Sequence, residues 1–175
     1  MAQWGYEQSQ INYAYSSSGN ITEHENVGTR RIYEYDATER LITFTEDGTH
    51  IATYQHDPLN RRISKITGMA LNRKITYFFY VEEGLIAEIR RGNFESKTYG
   101  WEPSSAWGTR LIWFADHYII LKNSVYHFSH NDHLGTPQIV ANKFGAEAWS
   151  MVAQSFGETV VSKSASTELN MRFPG

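Results

Sequence analysis

Tyr33-Glu34-Tyr35-Asp36-Ala37-Thr38-Glu39-Arg40-Leu41 and Tyr54-Gln55-His56-Asp57-Pro58-Leu59-Asn60-Arg61-Arg62-Ile63 are two copies of one pattern, and that pattern decides the fold. Tyr13-Ala14-Tyr15-Ser16 with Gly19 precedes them. Tyr77-Phe78-Phe79-Tyr80 with Gly84 follows, and Tyr99-Gly100-Trp101-Glu102 is a degenerate fifth copy. The leading tyrosines stand at 13, 33, 54, 77 and 99, so the steps are 20, 21, 23 and 22 residues. A fixed step of this length marks a repeat architecture. Tyr-x-Tyr puts two rings on one face of a strand, because side chains alternate with period two. The next residue, Ser16, Asp36 or Asp57, is suited to bond the backbone two residues on and open a turn. Gly19, Asn60 and Gly84 fall late in the turn, where a left-handed conformation costs Gly little and Asn moderately. Glu39 breaks that rule, so its turn is expected to be strained or of another type.

Each unit then reads as a two-strand ribbon. Leu41–Thr45 and Arg62–Ile66 form the second strand, and Glu46-Asp47-Gly48 and Thr67-Gly68-Met69 reset the unit. Isolated ribbons are marginal in water, so each must lean on its neighbours. The expected fold is all-β: stacked hairpins in a curved, open sheet, with a repeat region over 11–102 and a second region over 103–175. Between 139 and 160, Trp149, Val152 and Phe156 have helical spacing, but Gly145 and Gly157 keep a hairpin rhythm, and strands are preferred. Ser162–Thr167 is small and polar and is expected to be a mobile loop.

Composition narrows the function. Among 175 residues there are eleven Tyr, nine Phe, five Trp and no Cys, which removes thiolate chemistry and disulfide staples. A net charge of -3 supplies no basic field for nucleic-acid phosphates. No apolar window approaches the ~18 residues of a membrane span. No basic stretch leads into an apolar run at the N-terminus, so the chain is expected in the cytoplasm before any export.

The repeat resembles the YD repeat of the RHS (rearrangement hot spot) proteins, shared with the teneurins. Its motif residues here are Tyr33, Tyr35, Asp36, Arg40, Tyr54 and Asp57. The resemblance continues in Asp132-His133-Leu134-Gly135-Thr136-Pro137-Gln138, in Gly145–Trp149 and Phe156-Gly157-Glu158, and in Arg172-Phe173-Pro174-Gly175. It covers about 11–102 and 126–175. It implies a part of the β-shell that encloses a C-terminal toxin region. The family's sequence continues into an Asp-Pro-x-Gly autocleavage motif, whereas this chain stops at Gly175, so no self-cleavage is expected. The implied role is a non-enzymatic scaffold without cofactor. Implied partners are a second copy or other RHS segments, a toxin cargo and a secretion-system component. The alternative is a carbohydrate-binding module in which exposed Tyr and Trp (Trp101, Trp107, Trp113) stack on a glycan.

Chemistry-bearing clusters are few. His127, His130, Asp132 and His133 have the ligand types of a divalent-metal site, but 127 and 130 point to opposite faces of a strand. The structural reading is preferred: Asp132 and His133 hold the loop through side-chain-to-backbone bonds, Leu134 packs, and Gly135 bends the chain. Glu82-Glu83 reads as a solvated turn rather than half of a carboxylate pair. Ser129 beside His130 lacks a nucleophile elbow. The tyrosine ladder is better explained as cross-strand packing than as a glycan platform. Arg30-Arg31, Arg61-Arg62 and Arg90-Arg91 are expected as exposed charges that discourage edge pairing.

Overall fold

The computed structural model describes residues 11–82, 84–92, 95–104, 110–118, 120–153 and 159–170. Among the described residues fourteen strands follow one another, with one 3-10 turn at Ala70–Asn72. Two compact units divide the chain, Met1–Thr76 and Tyr77–Gly175.

The first unit holds β1 (Ile11–Tyr15), β2 (Ile21–Asn26), β3 (Thr29–Tyr35), β4 (Leu41–Glu46), β5 (Thr49–His56) and β6 (Arg62–Thr67). Each pairs antiparallel with the next in the chain. Two kinds of turn alternate. The tight ones carry left-handed backbone at Val27-Gly28 and Asp47-Gly48, with φ of 46° and 79°, and 48° and 75°. Positive φ at both central residues matches the twist of a hairpin. The wide ones are five-residue loops, 16–20, 36–40 and 57–61, each entered through a register shift just before the loop. The rings of the repeat stack across strands: Tyr13 on His24 at 4.8 Å and Tyr33 on Phe44 at 5.2 Å between centroids. The Tyr35 hydroxyl donates to the Ile21 carbonyl at 3.0 Å, reaching back to the preceding ribbon.

The expected arginine pairs do more than blunt edges. Arg30 bonds Glu23 at 2.6 Å and Arg31 bonds Glu46 at 2.8 Å, so both are cross-strand ion pairs. Their exposure keeps each contribution small.

The second unit takes in most of β7 (Lys74–Val81), then β8 (Gly84–Arg91), β9 (Glu95–Trp101), β10 (Leu111–Tyr118), β11 (Asn123–Asn131), β12 (Pro137–Asn142), β13 (Glu147–Ala153) and β14 (Thr159–Val161). Pairing is again antiparallel between chain neighbours from β8 to β14. The preference for strands over helix in 139–160 therefore holds for the described residues. Here there is a true core: Tyr99, Leu111, Phe114, Val140, Trp149, Met151 and Leu169 are all buried. Trp113 packs against Gly100, where the Cβ of any other residue would collide with the indole ring. No described pairing joins the first strand of either unit to its last; within each unit the sheet is open.

Candidate functional site

One local construction recurs five times among the described residues. In loops 16–20, 36–40, 57–61, 132–136 and 142–146, the first residue's N–H donates to the fifth residue's carbonyl. The fourth residue's N–H donates to the first residue's carbonyl, and all ten bonds fall between 2.8 and 3.1 Å. The first side chain then clasps the loop. Asp36 Oδ1 accepts from the N–H groups of Thr38 and Arg40, Asp57 Oδ1 from Leu59 and Arg61, and Asp132 Oδ1 from Leu134 and Thr136. Asn142 repeats this with Phe144 and Ala146, and Ser16 Oγ accepts from Asn20. The fourth residue is left-handed each time: Gly19 at 87°, Glu39 at 64°, Asn60 at 65°, Gly135 at 84° and Gly145 at 81°. An acceptor at the first place and a residue tolerant of positive φ at the fourth are thus the physical content of the motif.

The Asp36 carboxyl loses some solvation, which raises its pKa. The Arg40 N–H, the Thr38 hydroxyl, the Arg40 guanidinium and the Thr38 N–H outweigh that and hold it far below the usual carboxylate range. Asp57 is lowered in the same way, with Arg61 as its chief donor. The second carboxylate oxygen takes Arg40 Nε at 2.7 Å in one loop and Arg61 Nε at 2.7 Å in the next. In loop 132–136 the amide of Gln138 replaces the guanidinium, at 3.1 Å from Asp132 Oδ2.

Neighbouring loops are also linked. Arg40 Nη1 donates to the Asp57 carbonyl at 2.9 Å. Glu39 receives the Ser18 hydroxyl at 2.7 Å and the Asn20 amide. The loop at Glu39 is therefore of the same type as its neighbours, which corrects the alternative of a different turn. A left-handed non-glycine costs roughly 1–2 kcal/mol, and the two contacts to the preceding loop show what Glu39 does there.

The second construction is a polar cluster on one face of β8–β11, under a strap formed by residues 162–170. Lys97 Nζ lies 2.6 Å from Asp116 Oδ1, and His127 Nε2 lies 3.2 Å from Asp116 Oδ2. Phe114 holds the pair on its flank: Lys97 Nζ is 4.3 Å from its ring centroid, and the His127 ring stacks on it at 4.7 Å. Burial raises the Asp116 carboxyl, but His127, Lys97 and Thr167 outweigh it and bring it down to about 2. Beside it Tyr99 donates to Glu88 at 2.6 Å. Burial foremost, then the Glu88 charge and this bond, push the phenol well above its ordinary value.

The strap corrects the expected mobile loop at Ser162–Thr167. Its Ser162 N–H donates to Ser150 O at 2.9 Å and its Ser166 N–H to Ala148 O at 2.8 Å. Thr167 Oγ1 donates to Asp116 Oδ2 at 2.9 Å, Lys97 Nζ donates to Glu168 O at 2.8 Å, and Asn170 Nδ2 donates to Glu88 Oε2 at 3.0 Å. Leu169 between them is 0% exposed, in the core. A cavity of about 330 Å³ opens beside the strap, lined by Arg90, Lys97, Asp116, Tyr118 and Glu168 among others.

The histidines do not converge. His127 is buried on the cluster face, its Nδ1 without a partner, whereas His130 and His133 are exposed. Asp132 clasps its loop, but His133 adds no bond to it. The expected packing of Leu134 is corrected too: it is 65% exposed, because the loop turns it outward while Thr136 and Pro137 are buried. Glu82 is exposed and Glu83 lies outside the described residues. Trp101 donates to Leu85 O at 2.9 Å, and Trp107 lies outside the described residues. Arg172, Phe173, Pro174 and Gly175 also lie outside them. The kinship of loops 132–136 and 142–146 with the repeat loops was missed from sequence. Its signal is the shared spacing in Asp132-His133-Leu134-Gly135 and Asn142-Lys143-Phe144-Gly145.

A crystal structure of TcdB2-TccC3-TEV matches with a TM-score of 0.53 at 14% identity, over 84% of this chain and 9% of that one. The fold is shared. TcdB2-TccC3 without its hypervariable C-terminal region matches at a TM-score of 0.39 and 10% identity, over 90% and 10%. No family model matches the chain. Among curated proteins, the double-stranded DNA deaminase toxin A of Burkholderia cenocepacia (strain H111) is 27% identical over 187 residues, 94% of this chain and 13% of the toxin. That relative is an enzyme by name, which overturns the expectation of a chain with no enzymatic function. The expectation rested on the RHS resemblance and on finding no catalytic constellation within 175 residues, while the chain spans about an eighth of the relative's length.

Proposed function

We propose that this chain is a wall segment of an RHS-type toxin polypeptide, belonging to an enzyme of the deaminase-toxin kind and enclosing its toxin region. The observation that carries the reading is the five-fold clasped loop, which supplies stackable ribbons in a chain 94% covered by the match to a deaminase toxin. A wall needs ribbons that extend indefinitely, and clasped loops with Arg40- and Glu39-type links supply such extension without a thick core. Among the described residues β1 pairs only with β2, so its outer edge is where a further RHS segment would add.

The test is a chimera in which this chain replaces the matching stretch of the deaminase toxin. Under this reading the toxin region resists added protease until released, and the released part deaminates double-stranded DNA. Digestion of the toxin region as fast as in the free state would refute the reading.

A further inference from the structure

We infer that the β8–β10 face of the second unit is an acceptor site for an extended Thr-x-Leu-Asn segment, and that a second copy of this chain can supply that segment in place of the chain's own strap. Four consecutive residues are each read by a different feature of the sheet. Thr167 is recognised by its hydroxyl at Asp116 Oδ2, and Glu168 through its carbonyl at Lys97 Nζ. Leu169 is recognised by complete burial beside Phe114 and Trp149, and Asn170 by its amide at Glu88 Oε2. Arg90 Nη2 adds a longer contact to the Glu168 carboxylate, at 3.3 Å.

These partners come from β8, β9 and β10, and they are 51 to 82 residues away along the chain. Such recognition depends on side chains and not on continuity of the backbone, so the segment behaves as a tethered ligand. Its donors and acceptors also match in kind. The half-buried Asp116 carboxylate meets a hydroxyl, the buried Glu88 carboxylate meets an amide, and the buried Lys97 ammonium meets a carbonyl, which rejects segments lacking those groups. The tether keeps the local concentration of the chain's own strap high, so exchange becomes visible when that strap is disabled. This inference stands apart from the proposed wall function and survives or fails without it.

The experiment uses the full chain with Leu169→Asp, whose own strap cannot seat, and a fluorescein-labelled synthetic peptide of residues 162–170. Fluorescence anisotropy should show saturable binding to L169D, and binding to the wild type weaker by about a hundredfold because its strap is already in place. A peptide carrying aspartate at the Leu169 position, and the double variant L169D with Asp116→Ala, should each abolish the signal. If L169D loses its strand signal in circular dichroism, the full chain with Thr167→Val and Asn170→Ala takes its place, since it keeps the core leucine. Equal binding to the wild type and the strap variant would overturn the inference. So would binding that survives Asp116→Ala, or no binding to a folded strap variant.

Discussion

The two units of this chain use one turn chemistry and two different sources of cohesion. In the first, Ala52 is the one fully buried apolar residue among those described; β1 is exposed along its length and β2–β6 are mostly half-buried. Its ribbons are held by clasped loops, loop-to-loop bonds from Arg40 and Glu39, ring stacks and exposed ion pairs. The second keeps the same loops at 132–136 and 142–146 but adds a buried core and a strap across its polar cluster. The turn therefore fixes the hairpin, and long-range packing fixes how firmly a set of hairpins is held. Burial of large side chains contributes several kcal/mol per residue, whereas exposed pairs contribute a fraction of one.

The sharpest way to break this comparison is to remove the strap's anchor. Leu169→Ala should cost the second unit roughly 2–5 kcal/mol, as large-to-small changes in buried positions do. Chemical denaturation followed by tryptophan fluorescence measures it, because all described tryptophans lie in that unit. A clasp should matter less. Asp132→Ala strands the N–H groups of Leu134 and Thr136 and should cost about 1–3 kcal/mol, while Asp132→Asn keeps an acceptor and should cost less. Smaller still is His133→Ala: the side chain is exposed, so the change should stay within about 0.5 kcal/mol in the same denaturation assay.

Acid acts on the two devices with the same sign. The folded Asp116 carboxyl sits at about 2, below its ordinary value of 3.8. Its contribution is complete above that ordinary value and is lost as pH falls through about 2. The loop clasps at Asp36 and Asp57 are depressed in the same direction and should also persist below pH 3.8. Amide shifts of Thr38, Arg40 and Ser166 followed by NMR titration would report each. Opening of the strap above pH 4 would contradict the pairing described for Asp116.

The hairpins were legible in the sequence because their determinants are local. Tyr33-x-Tyr35-Asp36 and Asp57-x-x-Asn60 carry strand face, clasp and left-handed residue within a few positions. The sequence shows a loop at Asp132 but not the exposure of Leu134, since apolar character says nothing of which way a turn points a side chain. The strap was not legible at all. Ser162–Thr167 is small and polar, the composition of a loose loop, and its partners Asp116, Lys97 and Glu88 lie far off in sequence. Glu88 and Lys97 look like surface charges in the sequence, yet both are buried. The likeness to an enzyme is hidden for a different reason: the named chemistry belongs to a protein of which this chain matches 13%.

Native-state hydrogen exchange tests the central claim most directly, because it reads both units in one sample. Amides of Phe114 and Val140, and the Ser166 amide of the strap, should exchange far more slowly than those of β1–β6, with the repeat-loop amides of Arg40 and Arg61 intermediate. Equal protection across both units, or a Ser166 amide that exchanges as fast as an exposed loop, would contradict the account.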